Sequence, residues 1–314
     1  MAQETKKTDD FTKAVELAQS GKQNFILNAS KIDANIFKDI VDISESFAEE
    51  LTVIALQSGL IIRQMDASHV SMINIEIPES VWFKYKCTGP IVFALQIDKL
   101  KKLLKGVEKS DWLSITTETN GEAKISIEGA VAANFKLHII DTQYKALPMP
   151  KLQASVNIEV SPSILNKLLE RLQAISGSVG TFFMTAKKGS SDGSPKLILS
   201  AKGDSGEADF TLDTSNPNIF SIYVERETES EYSISYLKSI VSKLNVDKIK
   251  LSYMSRYPLQ IDVSLGEIPI TFFQAPTLSS VRKADAKEAE GKKAEEKKED
   301  KPAKTTTPAA GQTP

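Results

Sequence analysis

Apolar residues recur every three or four positions in four stretches of the chain, a spacing that places them on one face of a helix. The four predicted helices are Lys31–Ile43, Ile97–Val107, Pro162–Ile175 and Ile234–Leu244. Their first residues (31, 97, 162 and 234) lie 66, 65 and 72 positions apart, so the pattern repeats although the residues themselves differ. A shorter stretch of the same kind, Phe11–Ala18, predicts a small helix near the start of the chain.

Strand-like segments with alternating apolar residues and many β-branched side chains surround each predicted helix. NFILNA precedes the first helix, and LTVIAL, LIIRQM and SMINIEI follow it. Turn signals such as Asn120-Gly121 and Asp192-Gly193 separate many of these segments. Each unit is therefore a strand, a helix and three further strands; two units form a domain and two similar domains form the body. Because helices are few, they cover only one face of the antiparallel sheets, and we predict an α+β fold.

Composition divides the chain into five parts. Residues 1–23 form a polar N-terminal extension, which we expect to be flexible. The first domain covers 24–140 and the second covers 156–282. Between them, the prolines at 148 and 150 predict an extended connector over 141–155. Residues 283–314 contain no large apolar side chain, so they cannot bury enough surface to offset the entropy of ordering, and we predict a disordered charged tail.

Charge and cysteine content narrow the classes of function. The formal net charge is -2, so any cationic residues that contact nucleic acid must be gathered on one surface and balanced by acids elsewhere. Cys87 is the only cysteine, which is typical of a reducing compartment. No apolar run is long enough to span a bilayer, and the polar first residues do not resemble a signal peptide. We therefore expect a soluble intracellular protein without a membrane partner.

The sequence offers no recognisable catalytic site. His69, His138 and Cys87 are widely separated, so they do not form a cluster of metal ligands. The chain contains no GxxxxGK[ST] phosphate loop, no GxGxxG motif and no GxSxG elbow. We therefore predict that the protein is not an enzyme, with no catalytic residues, no metal and no cofactor.

Five segments, in order and with consistent spacing, resemble the proliferating cell nuclear antigen (PCNA) family of DNA sliding clamps. They are LIIRQMDASHVSMINIEIP (60–78), FKYKC (83–87), IDKLKKLLK (97–105), the connector at 141–155, and ITFFQAPTL (270–278). The resemblance extends from Phe25 to Val281, nearly the whole body. It implies the DNA clamp fold, in which three chains close head to tail into a ring with the helices lining the central hole.

The resemblance also implies a function in DNA replication and repair. A clamp of this family encircles duplex DNA without reading its sequence and acts as a processivity factor. A clamp loader places it on DNA, and it tethers DNA polymerase, flap nuclease and ligase through short peptide motifs. The short, proline-containing connector favours an archaeal member, which would work in the cytoplasm at the nucleoid; a eukaryotic member would be nuclear.

Cationic residues recur on the polar sides of the four predicted helices, where positions three, four or seven apart share a face. In a ring whose helices line the hole, these residues would attract phosphates without contacting base edges. The predicted DNA contacts are Lys31, Lys38, Lys99, Lys102, Lys105, Lys167, Arg171 and Lys238.

Three separate parts of the chain carry apolar residues that regular structure does not obviously require. In the resembling family these parts converge beside the connector and form a groove for a client peptide with a glutamine, an aliphatic residue and paired aromatics. Such a peptide inserts a short apolar face, and a few buried anchors dominate its affinity. The predicted pocket residues are Met65, His69, Val70, Leu147, Leu152, Tyr236, Pro258, Phe273, Ala275 and Pro276.

A head-to-tail ring needs two different and complementary edges on each chain. The family pattern pairs an edge strand near Ala132–Leu137 with one near Ala201–Phe210 of the next chain. The predicted interface residues are Ala133, Phe135, Lys136, Leu137, Asp204, Glu207 and Asp209. Two alternatives stay open: a subunit of a hetero-oligomeric or checkpoint-type clamp, and a β-rich protein-binding scaffold that never encircles DNA.

Overall fold

The structure is a computed structural model that describes residues 2–20, 25–117, 121–140, 142–177, 179–189 and 193–277. The predicted charged tail at 283–314 lies outside these residues. The helices are α1 (Ala2–Gln19), α2 (Ala34–Ser44), α3 (Ile97–Leu104), α4 (Pro162–Ser176) and α5 (Ile234–Val241). Within the described ranges, no helix has the length and apolar character of a bilayer-spanning segment.

Eighteen strands surround the helices in the described part of the chain. The first domain contains β1 (Leu27–Asp33), β2 (Glu50–Leu56), β3 (Gly59–Met65), β4 (Ser71–Pro78), β5 (Lys84–Cys87), β6 (Ile91–Gln96), β7 (Trp112–Thr117), β8 (Glu122–Glu128) and β9 (Ala133–His138). The second contains β10 (Val156–Val160), β11 (Thr181–Lys187), β12 (Lys196–Gly203), β13 (Gly206–Leu212), β14 (Ile219–Val224), β15 (Thr228–Ser233), β16 (Ile249–Tyr253), β17 (Leu259–Leu265) and β18 (Ile268–Gln274). Residues 142–155, between the two sets, form neither helix nor strand.

The strands form three sheets with antiparallel pairing. A five-stranded sheet has the order β5-β1-β7-β8-β9, and a four-stranded sheet has the order β13-β12-β11-β15. A nine-stranded sheet, β14-β10-β16-β17-β18-β4-β3-β2-β6, crosses from the second domain into the first. Its crossing point is the pair β18–β4, with register from Ile270↔Ile75 to Gln274↔Ser71. The prediction of an α+β fold of antiparallel sheets with two helices in each domain is confirmed.

The internal repeat is visible in the element order. β10, α4 and β11–β14 repeat β1, α2 and β2–β5, while β15, α5 and β16–β18 repeat β6, α3 and β7–β9. The first unit of each domain has a fourth strand after its helix, β5 or β14, which the sequence pattern did not predict. Each extra strand pairs with the strand that precedes the helix of its unit, β1 or β10.

The predicted start of the first helix is wrong by three residues. Lys31 lies in β1, at an irregularity in the β1–β7 register, and its backbone φ is 57°. The helix begins at Ala34 because the Asp33 side chain caps it, accepting a hydrogen bond from the Asn35 backbone N–H at 2.8 Å. Lys31 is therefore not on a helix, and its Nζ lies 2.8 Å from Glu128 Oε2.

The N-terminal extension contains the small helix that the apolar spacing predicted at Phe11–Ala18. The helix is longer than predicted, Ala2–Gln19, and its Phe11 and Val15 are buried against the first domain. Burial of a side chain of this size contributes roughly 1.5–3 kcal/mol, because apolar surface is removed from water. The helix is thus held by packing and not by its weak intrinsic amphipathicity.

Candidate functional site

The helices of the two domains lie side by side in one layer. α2 packs against α3 in the first domain, and α4 packs against α5 in the second. The two pairs meet where Lys243 Nζ, just beyond α5, donates to the Asp42 carbonyl oxygen of α2 at 2.7 Å. Nearby, Ser46 Oγ donates to the Ser239 carbonyl oxygen at 3.4 Å. The layer therefore has the order α3, α2, α5, α4 and continues across the domain boundary.

Five of the predicted DNA contacts lie on the exposed side of this helix layer. Lys99 and Lys102 belong to α3, Lys105 follows it directly, and Lys167 and Arg171 belong to α4. All five are exposed, whereas the leucines of the same helices, apart from the half-buried Leu103, are buried in the core. Ion pairs among the described residues involve none of these five cations. Their charge is therefore available to an external anion.

Two further predicted contacts on the helices have acidic or amide neighbours. Lys38 Nζ lies 3.0 Å from Asp42 Oδ2, one turn along α2. Lys238 Nζ donates to Gln173 Oε1 at 3.0 Å and lies 3.9 Å from Glu170 Oε1, so it joins α5 to α4. Both lysines are half-buried and have partners, Lys38 within α2 and Lys238 across to α4, which leaves less of their charge for a ligand.

Sequence reasoning missed a carboxylate that joins three helices. Glu45, at the end of α2, lies 2.6 Å from Lys101 Nζ of α3 and 3.2 Å from Lys243 Nζ beyond α5. The hydrogen bond from Lys101, together with the contact to Lys243, holds the pKa of the Glu45 carboxyl below its usual value. No periodic pattern connects positions 45 and 243, so only the folded chain reveals this contact.

The loop between β3 and β4 carries two of the predicted pocket residues. Asp66 organises this loop: its Oδ2 accepts from the Ser68 backbone N–H at 3.0 Å, and its Oδ1 accepts from those of Val70, at 2.8 Å, and Ser71. Burial alone would raise the pKa of the Asp66 carboxyl, but these hydrogen bonds outweigh burial and lower it. The loop thereby fixes His69, with φ of 57°, exposed at the surface.

The same loop contacts two parts of the second domain that carry predicted pocket residues, the end of β18 and α5. The Ala275 backbone N–H donates to the Val70 carbonyl oxygen at 2.8 Å, which brings the residues after β18 to the loop. The Tyr236 hydroxyl lies 2.7 Å from Ser68 Oγ, which brings α5 to it. Phe273, at the end of β18, is 4% exposed, so it supports the junction from within and offers little surface to a ligand.

A crevice of about 1020 Å³ opens beside this junction. Met65 and Tyr236 line it together with Phe47 from the segment after α2. The crevice also has an acidic lining: Glu45, Glu49, Glu50, Asp66 and Asp98. The connector residues are absent from its described lining, so the crevice unites only part of the predicted pocket.

The remaining pocket residues fall into two groups. Pro258 precedes Leu259, the register partner of Gln274, so Pro258 lies next to Ala275 and Pro276 at the end of the β17–β18 pair. In the connector, the Leu147 carbonyl oxygen accepts from Arg63 Nη1 at 3.0 Å. Leu147 and Leu152 are both half-buried. Among the described hydrogen bonds, none ties Leu152 to the rest of the pocket.

Among the edge strands of the described sheets, one in each domain carries an apolar row that is incompletely covered. β9 is the edge of the five-stranded sheet, and β13 is the edge of the four-stranded sheet. Ala133, Phe135 and Leu137 on β9, and Ala208 and Phe210 on β13, are only partly buried although they pack against the core. The unpaired backbone groups of such an edge, together with an incompletely covered apolar row, can accept a strand from another chain.

The charged interface residues lie on the same two edges. Lys136 is exposed on β9, while Asp204 in the β12–β13 turn, and Glu207 and Asp209 on β13, are exposed at the other edge. Glu207 contacts Lys202 within its own hairpin. The two edges therefore carry charges of opposite sign, which favours contact between different edges over contact between like edges.

The internal repeat relates these two edges to a junction that the chain already contains. β18 occupies in the second domain the place that β9 occupies in the first, and β4 corresponds in the same way to β13. Within one chain, β18 pairs antiparallel with β4 across the domain boundary. The free edges β9 and β13 are thus the counterparts of two strands that already pair with each other.

Comparison with known proteins gives consistent results. A family model described as the N-terminal domain of proliferating cell nuclear antigen matches residues 26–146. The chain is 29% identical over 246 residues to a DNA polymerase sliding clamp of Cenarchaeum symbiosum, a match that covers 77% of this chain and 95% of the relative. It is 25% identical over 245 residues to a DNA polymerase sliding clamp of Pyrococcus furiosus, with the same coverage.

Solved structures have the same fold. A PCNA from Thermococcus kodakaraensis superposes with a TM-score of 0.73 at 20% identity, covering 80% of this chain and all of that one (100%). A PCNA2–PCNA3 complex from Sulfolobus tokodaii gives a TM-score of 0.69 at 24% identity, covering 79% and 98% of the two chains. From the repeated element order, the organised loop of the MDASHV segment and these likenesses together, we conclude that the chain has the DNA clamp fold and is similar in sequence to sliding clamps of the proliferating cell nuclear antigen family.

Proposed function

We propose that this chain is a DNA sliding clamp without catalytic activity. Three copies close head to tail into a ring, the helix layer faces inward, and duplex DNA passes through the hole. Enzymes of replication and repair, among them a polymerase, a flap nuclease and a ligase, bind the outside of the ring through short peptides. A clamp loader opens the ring and closes it around DNA. The ring acts wherever the cell keeps its DNA, in an archaeal cytoplasm or a eukaryotic nucleus.

The correspondence between the internal junction and the free edges carries this proposal. β18 and β4 show how the last strand of one domain joins a strand of the next domain. Placing β9 of one copy on β13 of another repeats that junction, covers the half-buried Phe135 and Phe210, and pairs two edges that would otherwise be exposed. Because the two edges differ, the contact is heterologous and extends until the ring closes.

The exposed cations of the helix layer suit a protein that moves along DNA. Lys99, Lys102, Lys105, Lys167 and Arg171 would meet phosphates on the inner surface of the ring. Phosphate contacts hold a duplex without reading its bases, so no position along the DNA is strongly preferred. Acids on the same layer, such as Asp98 and Glu170, dilute the positive charge and keep the contact weak.

Client binding is proposed for the surface where the β3–β4 loop, the end of β18 and the connector come together. Val70 and Ala275 already share a backbone hydrogen bond there, and the connector would contribute the half-buried apolar side chains of Leu147 and Leu152. A client peptide can insert an apolar anchor between them and add backbone hydrogen bonds to the connector or to the residues after β18.

The assembly is tested by light scattering behind size-exclusion chromatography over a dilution series. A mass near three times the 34.5 kDa of one chain supports the self-closing ring. A monomer at every concentration contradicts a stable homotrimer and leaves the second candidate, a hetero-ring that closes only with related subunits. The likeness to a complex of two different clamp subunits favours testing that candidate next.

A further inference from the structure

The N-terminal helix α1 lies before the part of the chain that the family model matches, which begins at residue 26. Its Phe11 and Val15 form a small apolar cluster with Ile54, separate from the main core. The side chains that pack around this cluster come from three strands and from the connector; they are Leu56, Ile61, Val92, Tyr144 and Ala146. α1 therefore contacts the first half of the connector directly.

Arg63 on β3 lies at the centre of this arrangement. Its guanidinium carbon is 4.2 Å from the centroid of the Phe11 ring, a cation–π contact. The same guanidinium donates through Nη1 to the Leu147 carbonyl oxygen at 3.0 Å and through Nε to Asn74 Oδ1 at 2.8 Å. Arg63 thus connects the helix to the connector residue that the proposed client site uses.

Two additional hydrogen bonds hold the beginning of the connector. The Tyr144 hydroxyl donates to the Arg63 carbonyl oxygen at 2.9 Å, and burial raises the pKa of Tyr144 to about 12, so the hydroxyl keeps its proton at neutral pH. At the end of α1, Gln19 Nε2 donates to the Thr142 carbonyl oxygen at 3.3 Å. Residues 142–147 are therefore fastened on one side to β3 and on the other to α1.

We propose that α1 is an internal brace that holds the connector in the course that receives client peptides, acting through the ring of Phe11 and the guanidinium of Arg63. A segment without helix or strand must be ordered when a peptide binds it, and that ordering reduces the affinity. A brace that orders the segment beforehand removes this cost. The inference rests on the proposed function only for the identity of what binds; the bracing itself is a property of the free protein.

The test compares three substitutions in the full chain. Phe11→Ala removes the ring that contacts Arg63, and Phe11→Leu keeps an apolar side chain but no aromatic face. Leu17→Ala, on the same helix but 45% exposed, is the matched control. The first measurement is amide hydrogen exchange over 142–152 without ligand. The second is the affinity for a synthetic peptide with a glutamine, an aliphatic residue and two adjacent aromatics.

Exchange in 142–147 should be roughly tenfold faster in Phe11→Ala and intermediate in Phe11→Leu, and unchanged in Leu17→Ala. The peptide should bind roughly threefold to tenfold more weakly to Phe11→Ala, while light scattering gives the mass of the unaltered protein. Unchanged exchange in Phe11→Ala, or tighter peptide binding by it, overturns the brace. If the wild-type chain binds no peptide but Phe11→Ala accelerates exchange, the proposed client site is wrong, and the proposal that α1 braces the connector stands.

Discussion

The Lys101 ammonium of α3 lies 2.6 Å from the Glu45 carboxylate at the end of α2, and Lys243 approaches the same carboxylate from the second domain. A carboxyl whose pKa is lowered in the folded state stabilises that state above its ordinary pKa and ceases to do so as the pH falls through the folded value. We therefore expect the stability that Glu45 contributes to be present at pH 7 and to be lost below its ordinary pKa of 4.5.

Glu45→Gln tests this expectation. At pH 7 the variant should lose less than about 1 kcal/mol of unfolding free energy, because more than a third of the Glu45 side chain is exposed and solvent screens the pair. Urea unfolding at pH 7 and at pH 4 should show the difference from wild type shrinking at the lower pH. Glu49→Gln, an exposed acid outside the described ion pairs, is the control and should show no such convergence. A constant difference would mean that Glu45 acts by packing alone.

Reversing charge on the helix layer should weaken the hold on DNA. Lys102, Lys105 and Lys167 changed together to Glu replace three attractive charges with three repulsive ones, so the loaded ring should slide off linear DNA at least tenfold faster at low salt. Retention on linear DNA after loading, measured at several salt concentrations, is the assay. The control changes Lys187, Lys196 and Lys250, exposed lysines on strands, to Glu with the same change in net charge. If the two triple variants changed retention on DNA equally, the result would contradict a helix layer that faces the central hole of the ring.

A charge placed on a free edge should prevent ring closure. Phe210→Asp puts a carboxylate on the row of β13 that is proposed to meet β9, where burying it without a partner is costly. We expect the protein concentration at which half of the chains are assembled into rings to rise at least tenfold in the dilution series, while the monomer stays folded. Phe83→Asp, at a side chain that is 72% exposed beside β5, should assemble like the wild type. Normal assembly of Phe210→Asp would exclude β13 from the contact.

The connector should be needed for clients and not for the ring. Leu147→Ala together with Leu152→Ala removes two half-buried apolar side chains from the proposed client surface, and truncation of anchors of this kind commonly reduces affinity by tenfold or more. Isothermal titration with the client peptide measures the loss, and light scattering checks that assembly persists. Gln153→Ala, at an exposed position of the same connector, is the control. Undiminished affinity of the double variant would place the client site elsewhere.

The repeat of the fold could be predicted from the sequence because helical and strand periodicities are local properties. The first helix, which the apolar spacing predicted to begin at Lys31, shows where a local rule fails. Ile32, Ile36 and Ile40 are spaced like one helical face, but Ile32 belongs to β1 and the helix begins only after Asp33. The apolar spacing continues across a strand–helix boundary, and only the capping hydrogen bond of Asp33 marks the true start.

The site could be predicted in part. Exposed cations on α3 and α4 follow from helical spacing and are where the pattern placed them. The partners of Lys38 and Lys238 lie within helices or between helices of one domain and were not foreseen. The contacts of Arg63 with Phe11 and Leu147, 52 and 84 positions away, depend on how three separate parts of the chain pack, which no local pattern encodes.

The correspondence between β18–β4 and β9–β13 gives the proposed ring two kinds of seam. Three seams would lie inside single chains, where the connector keeps the partners at a high effective concentration, so a transient break closes again at once. The other three would have no such tether, and their closure would depend on protein concentration. Dilution, or an enzyme that opens the ring, would therefore act on the untethered seams. The ring would open between two subunits and not between the two domains of one subunit.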